Sequence, residues 1–174
     1  MKTIKVFIIL FFAVILSVIA GCFVHRIQLP KGCPPNCAGS DLSHTYLSGV
    51  NLSGANLTGV NFTGANLSWS NLSGAELTNV NFTQAKLEGA DLSGANLANT
   101  DLRGTDFGSL SQGPPVNLSH ANLQGADLSG ANLFRSNLSG ADLRNANLSN
   151  IIDLGMVLLD KADLRGANLT GVAL

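Results

Sequence analysis

Three cysteines, Cys22, Cys33 and Cys37, are the side chains of this sequence with the most definite chemistry. Cys33 and Cys37 are separated by three residues, and in an exported protein such a pair can form a disulfide. The bond would close a small loop, so its gain in stability would be modest. A structural zinc site needs four ligands, and the histidines nearby are His25 and His44. We therefore predict a disulfide between Cys33 and Cys37, and neither a metal site nor a cofactor.

Other side chains that could support catalysis are scattered along the chain. His44 and His120 lie far apart in the sequence, and no Ser or Cys is placed to act with either as a nucleophile. Several aspartates occupy positions that carry Asn elsewhere, which favours a structural role for them; these are Asp91, Asp101, Asp127 and Asp142. We also find no paired carboxylates and no phosphate-binding loop in the sequence. We predict that the protein is not an enzyme.

Residues 1–21 form a candidate export signal. Two lysines precede an apolar run over residues 6–20, which contains one serine, and small residues lead from it to Cys22. The run of Ile, Ala, Gly and Cys resembles a bacterial lipobox, although Ile19 stands where Leu is commonest and Phe23 stands where a small or polar residue is usual. The resemblance implies cleavage before Cys22 and lipidation of that residue.

An uncleaved membrane helix is the alternative interpretation of the same segment. The apolar stretch over residues 6–24 is long enough to cross a hydrocarbon core of roughly 30 Å. Both interpretations place the rest of the chain at the extracytoplasmic face of the cell membrane, as a lipoprotein or behind a single-pass anchor. Residues 22–39, which contain three prolines, are predicted to be a linker.

Beyond the linker, a Leu or Phe recurs at every fifth position. A small residue stands two positions before it, Asn or Asp stands one position before it, and Gly commonly closes the unit. This period matches neither the 3.6 residues of a helix nor the two of a strand, so each unit is predicted to be a short extended segment followed by a corner. The Leu and Phe centres are predicted to point inward, among them Leu57, Phe62, Leu67, Phe82, Leu92, Leu128, Leu138 and Leu143.

One recurrence indicates how many units close a turn. The sequence Val-Asn-Phe-Thr at residues 60–63 returns at residues 80–83, twenty positions later. Four units per turn would place Phe62 directly against Phe82.

The unit Ala-(Asn/Asp)-Leu-x-x resembles the motif of the pentapeptide-repeat family, and it covers residues 40–174. The resemblance implies an all-β fold, a right-handed, four-sided β-helix, which the N-terminal hydrophobic segment would precede as a signal or anchor helix. Four units per coil and about 4.8 Å per coil give a rod of roughly 30 Å. The resemblance also implies one specific function, because some members protect DNA gyrase by imitating DNA.

Two interruptions break the repeat. Residues 108–116 contain Gly-Pro-Pro, and the eleven positions from Phe107 to Leu118 predict a loop in place of one unit and one further residue. A slip near Ile151 predicts a one-residue bulge. The backbone of a last coil is unpaired along one edge, which invites pairing with another chain, so we predict a homo-oligomer formed through the C-terminal coil edge.

Outward-facing residues that depart from the repeat are candidates for partner contact. Trp69 replaces the usual Gly, Phe134 replaces the usual Ser, and Arg135 follows Phe134. Exposed aromatic side chains and arginine often anchor partners, although nothing in the linear sequence places these three residues on one patch.

The net charge of the repeat region bears on which partners the protein can bind. From residue 38 onward the chain has six basic and eleven acidic residues, a net charge of −5, which argues against nucleic-acid binding. We predict a non-catalytic, membrane-tethered extracytoplasmic scaffold that serves structure or contacts an unknown protein. The alternative is the DNA-mimicking gyrase protector, although those family members are cytoplasmic and strongly acidic.

Overall fold

The computed structural model describes residue 29, residues 32–108 and residues 113–172. The predicted signal or anchor segment at residues 1–21 and the predicted lipidation site Cys22 lie outside the described residues. Within the described part of the chain there is no helix that could cross a membrane.

The described residues form a coil of parallel β-bridges, without helices and without strands longer than a single bridge residue. Most bridges join residues twenty positions apart, so four units make one coil and the bridge residues stack into four columns, one on each face. The first face carries Asn36, Asn56, Glu76, Asn96, Asn122, Asp142 and Asp163, and the second carries Asp41, Asn61, Asn81, Asp101, Asp127, Asn147 and Asn168. The third carries Tyr46, Asn66, Lys86, Asp106, Asn132 and Asp153, and the fourth carries Asn51, Asn71, Asp91, Asn117, Asn137 and Leu158.

Hydrogen bonds between successive coils hold this spacing. The N–H of each repeat centre donates to the next coil, as Leu57 does to the carbonyl of Glu76 at 2.8 Å. From the second coil onward, and except at Asp153, the N–H of a bridge residue donates to the preceding coil, as Asn61 does to the carbonyl of Ser40 at 3.0 Å. Because each face repeats both bonds, the backbone is paired from coil to coil as in a sheet ladder.

The interior consists of the repeat centres and the small residues two positions before them. Leu57, Phe62, Leu67, Phe82, Leu92, Leu128, Leu138 and Leu143 are all buried. Phe62 and Phe82 stack with ring centroids 5.3 Å apart, which is the pairing that the twenty-residue recurrence predicted. Burial of each leucine stabilises the coil by about 1.5–3 kcal/mol relative to exposure.

The coil begins before residue 40, where the repeat was predicted to start. Asn36 already bridges Asn56, and Cys37 occupies the inward position that Leu holds in later units. Its sulfur is bonded to Cys33, with the two Cα atoms 4.7 Å apart. A disulfide therefore takes the place of the missing leucine side chain at the N-terminal end of the core.

The insertion at residues 108–116 does not replace a unit, contrary to the sequence prediction. Asp91 bridges Asn117 across twenty-six positions, and Leu92 donates to the carbonyl of Asn117 at 2.7 Å. All four faces therefore continue through this coil, and the six extra residues fall in the sequence between the third face at Asp106 and the fourth face at Asn117. The sequence spacing alone could not separate a lost unit from an enlarged corner.

The one-residue slip near Ile151 is a β-bulge. Ile152 donates to the carbonyl of Ala131 at 2.9 Å, while Leu133 donates to the carbonyl of Asp153 at 3.0 Å. Ile152 and Asp153 thus both lie opposite Asn132, so the bridges that follow are twenty-one positions apart.

We expect Leu128→Asp to lower the melting temperature by about 10 °C or more, because it places an ionisable group among buried leucines. Gln124→Asp, on the exposed side of the same coil, is the matched control and should change little. Thermal unfolding followed by circular dichroism measures both. A melting temperature for Leu128→Asp equal to that of the control would contradict an inward-facing centre.

Candidate functional site

The outward Asn and Asp columns are structural. The Oδ1 atom of Asp41 accepts the backbone N–H of Ser43 at 3.0 Å and the side-chain Nδ2 of Asn61, one coil further on, at 3.1 Å. The same pair of bonds recurs along the rod, as between Asn122 and Asn96. These groups are therefore engaged in closing turns and joining coils, which explains why Asn and Asp alternate in this position.

Where two aspartates stack on adjacent coils, arginines offset their repulsion. Asp142 bridges Asp163, and each accepts a bidentate pair of hydrogen bonds from the arginine two positions later, Arg144 and Arg165. Hydrogen bonds from Arg165 lower the pKa of Asp163 to about 2, and those from Arg144 lower the pKa of Asp142. Both carboxylates thus remain charged at neutral pH, which makes them poor candidates for acid–base catalysis.

The histidines do not form a catalytic pair. His44 lies at the end of the second face and His120 at the end of the fourth, each with a positive φ at a corner. Each ring lies over a glycine of the next coil, Gly64 for His44 and Gly140 for His120. Among the described residues, no group of His, Cys, Asp or Glu side chains could hold a metal ion.

A residue with a positive φ stands at each described corner, and successive coils stack these residues into four columns. The first corner holds Gly39, Gly59, Asn79, Asn99, Gly125, Asn145 and Gly166, and the second holds His44, Gly64, Gln84, Gly104, Gly130, Asn150 and Gly171. The fourth holds Gly54, Gly74, Gly94, His120, Gly140 and Lys161. The third, between the third and fourth faces, holds Gly49, Trp69, Gly89, Arg135 and Met156, and the insertion falls in the sequence between Gly89 and Arg135.

We call the third corner from Trp69 to Met156, with the flanking residues Glu88 and Phe134, the variable edge. A left-handed conformation costs an ordinary residue roughly 1–2 kcal/mol, and glycine or asparagine avoids much of this cost. Trp69, Arg135 and Met156 adopt this conformation, with φ values of 65°, 62° and 57°. Larger side chains adopt it on the second and fourth corners too, two on each, but among the described corner residues the third corner alone carries three, and these include Trp, Arg and Met.

Trp69 is the anchor of the insertion. A Cβ atom built on Gly89 would lie 3.1 Å from Trp69 Cε3, so the indole covers this glycine of the next coil. A Cβ on Gly113 would lie 3.2 Å from Trp69 Cη2 and 3.3 Å from Glu88 Oε1, and Pro114 also approaches Gly89. The end of the insertion therefore packs on the ring, which nevertheless remains 49% exposed.

Phe134 and Arg135 repeat this arrangement nearer the C-terminus. A Cβ on Gly155 would lie 3.0 Å from Phe134 Cδ2, so the phenyl ring covers a glycine of the next coil. The N–H of Arg135 donates to the carbonyl of Gly155 at 2.8 Å, and the neighbouring Met156 is 77% exposed. The structure thus brings Trp69, Phe134 and Arg135 to a single edge, where the linear sequence showed no common patch.

The sequence held a signal that would have revealed this edge. Aligning the units in rows of four puts Trp69, Arg135 and Met156 in one column, provided that six residues are removed at the insertion and one at the bulge. The sequence alone did not show that the insertion leaves all four faces intact, and this register is what brings the three residues into one column.

The sequence matches the profile of a family described as pentapeptide repeats over residues 36–74, 75–108 and 116–150. No curated protein matches the sequence significantly.

Several solved structures are similar. HetL from Nostoc sp. strain PCC 7120, a pentapeptide repeat protein involved in heterocyst differentiation regulation, is 35% identical over 80% of this chain, with a TM-score of 0.36; this chain spans 63% of its length. A pentapeptide repeat protein of the Arabidopsis thaliana thylakoid lumen is 33% identical over 65% of this chain and 71% of its own, with a TM-score of 0.41. QnrB1, a plasmid-mediated fluoroquinolone resistance protein, is 20% identical over 76% of this chain and 69% of its own, with a TM-score of 0.43.

We expect Trp69→Gly to expose the insertion to proteases while leaving the melting temperature nearly unchanged. The substitution removes the surface on which Gly113 packs, but it also relieves the left-handed strain at position 69. Limited proteolysis with mass mapping measures cleavage within residues 108–116. Asn79→Gly, at an equivalent position of the first corner, is the control and should leave cleavage as in the native chain; equal cleavage of both variants would contradict the anchoring role.

Stability should also respond to pH through Asp163. Its folded pKa of about 2 lies below the ordinary value of 3.8, so its contribution is present above about pH 4 and is lost as the pH falls toward 2. Asp163→Asn keeps an oxygen that can accept the N–H of Arg165 but removes the charge. The melting temperatures of the variant and the native chain should differ slightly at neutral pH and converge near pH 2; a difference that stays constant with pH would contradict this assignment.

Proposed function

The chain belongs to the pentapeptide-repeat family, and from this premise we propose that it is a non-catalytic scaffold that contacts a protein partner through its variable edge. We further propose that it works at the extracytoplasmic face of the cell membrane. There it is held by a lipid on Cys22 or by an uncleaved N-terminal helix.

The observation that carries this proposal is the segregation of irregular residues onto one corner. Among the described corner residues, the other three corners bear Gly, Asn, Gln, His and Lys, and none of them bears an aromatic ring of Trp, an Arg or a Met. The variable edge bears Trp69, Arg135, Met156 and the anchored insertion, although these residues strain the backbone. Aromatic, arginine and methionine side chains are enriched at protein interfaces, which supports a role in binding.

A non-catalytic role is supported by the hydrogen bonds that the outward polar side chains make within the rod. The outward Asn and Asp side chains close turns and join coils, as Asp41 and Asn61 do. Asp142 and Asp163 are neutralised by arginines and lie on an open face. Catalysis needs a group with a free lone pair or proton in a shielded cleft, and these side chains do not meet that requirement.

The membrane attachment is supported by the sequence of residues 1–22 alone. A basic start, an apolar run and a cysteine after small residues are typical of an exported lipoprotein. The disulfide between Cys33 and Cys37 agrees with an oxidising compartment outside the cytoplasm.

The alternative, a DNA-mimicking gyrase protector, would need a strip of uncompensated negative charge. On the second face Asp101 bridges Asp127, which offers two stacked charges. Arg103, however, pairs with Asp101 at 2.6 Å and reduces the negative charge there. We therefore favour the scaffold.

Self-association through the last coil remains a separate proposal. Leu159 and Leu169 occupy inward positions of that coil, yet they are 38% and 47% exposed. Contact with a second copy would shield them from water, with a gain of about 25 cal/mol for each Å² of apolar surface removed.

Location is tested by fractionation and intact mass of the protein expressed in a bacterium, beside a Cys22→Ala variant. The proposal predicts a membrane-bound chain that begins at an acylated Cys22, or an intact chain with Met1 that stays in the membrane. In the first case Cys22→Ala loses the lipid and in the second it changes nothing. A soluble cytosolic chain would contradict the proposal and favour gyrase protection.

Contact through the variable edge is tested by photo-cross-linking in living cells. A photoreactive amino acid at Met156 should form specific adducts, and the same group at His120, an equivalent slot of the fourth corner, should not. Equal adduct formation at the two positions, or none at either, would contradict a docking role for the edge.

A further inference from the structure

We propose that the first two coils rest on the surface of the membrane that holds the chain, and that Tyr46 and Trp69 make the contact with lipid. This inference rests on the proposed membrane attachment and adds to it an orientation of the rod. It leaves Arg135 and Met156 for the protein partner, because these residues lie three and four coils farther along the rod than Trp69.

The connection between the rod and the predicted attachment point is short. Leu29 packs against the core, and Cys33 is bonded to Cys37 in the first coil. Leu29 follows Cys22 by seven positions, and a fully extended chain of that length spans at most about 25 Å. An uncleaved apolar run that ends at residue 24 leaves a still shorter connection. Either form of attachment would therefore hold the first coil close to the bilayer surface.

The only tyrosine and the only tryptophan of the sequence stand in these first two coils. Tyr46 lies on the third face and is 59% exposed, while Trp69 lies at the corner that ends this face in the next coil and is 49% exposed. Tyr46 bridges Asn66, so the two aromatic residues lie on one side of the rod, little more than one coil of about 4.8 Å apart along its axis. Tyr and Trp concentrate at membrane–water interfaces, because each combines an apolar ring with a polar group that stays hydrogen-bonded.

The first two coils can also approach lipid without removing much charge from water. Over residues 36–75, Asp41 is the only Asp, Glu, Lys or Arg, and it lies on the second face. Beside the two rings, the third face holds Ser48 and Asn66. Uncharged side chains of this kind lose little in a headgroup layer, where water and lipid oxygens still form hydrogen bonds with them.

The other faces of the same coils offer no comparable surface. Apart from Tyr46 and Trp69, the exposed residues within the described range 36–75 are Asn, Asp, Ser, Thr, His, Ala and Gly. The short connection and the two rings therefore favour one orientation, in which the N-terminal end of the rod is next to the bilayer and leans on its third face. A protein partner would not require that both rings stand in the coils nearest the attachment point.

The single tryptophan makes this contact measurable, because all indole emission of the native chain comes from Trp69. The full-length chain is purified with its own membrane attachment and reconstituted into phosphatidylcholine vesicles that carry a nitroxide on the lipid headgroup. We expect the emission to be at least about twofold lower than in vesicles without nitroxide, since an interfacial tryptophan lies at headgroup level.

Two variants supply the controls. Trp69→Asn combined with Asn79→Trp moves the indole to the first corner, diagonally across the rod, at a position whose φ is already 58°. Its emission should be insensitive to the headgroup nitroxide. Tyr46→Asn introduces the residue type that Asn66 and Asn132 supply in the same column. It should weaken the quenching of Trp69, because one of the two rings that hold the rod against the lipid is lost.

Vesicle flotation separates this inference from the attachment on which it rests. If the chain floats with the vesicles while Trp69 is quenched no more than the indole at position 79, contact with lipid is refuted and the attachment stands. If the chain does not float, both are refuted. Equal quenching of Trp69 in the native chain and in Tyr46→Asn would contradict a lipid contact shared by the two rings.

Discussion

Hydrogen bonding from one coil to the next, across twenty residues, is the constraint on which the rest of the structure depends. Since Leu57 donates forward and Asn61 donates backward, each face can shift only if the whole coil shifts. The bonds fix five residues per side, and this leaves room inside for one large and one small side chain. The pattern of Leu and Ala is therefore a consequence of backbone pairing in a narrow tube.

The same constraint explains how the two irregularities are accommodated. Six extra residues stand in the sequence between the third and fourth faces, and Asn117 still pairs with Asp91. One extra residue at Ile152 is absorbed by a bulge, and Asp153 resumes the ladder opposite Asn132. The ladder continues past both irregularities, since a break in it would leave backbone groups unpaired in both neighbouring coils.

The sequence predicted the features that repeat and missed those that depend on register. The inward column and the Phe62–Phe82 stack followed from a period that is visible in the residues themselves. Two findings could not be predicted in this way: Cys37 occupies a leucine position, and the insertion leaves all four faces intact. The gathering of Trp69, Phe134 and Arg135 depends on that second finding, because their alignment appears only when the true lengths of the irregular coils are known.

If the variable edge exists for binding, folding should not need it. The melting temperature of the full-length chain with Trp69→Gly, Phe134→Ser, Arg135→Gly and Met156→Gly combined tests this most directly. The account predicts a value equal to or above that of the native chain, because glycine relieves three left-handed residues at roughly 1–2 kcal/mol each. A fall in melting temperature as large as the one expected for Leu128→Asp would show that the variable edge serves the fold. It would contradict the claim that the edge exists for binding.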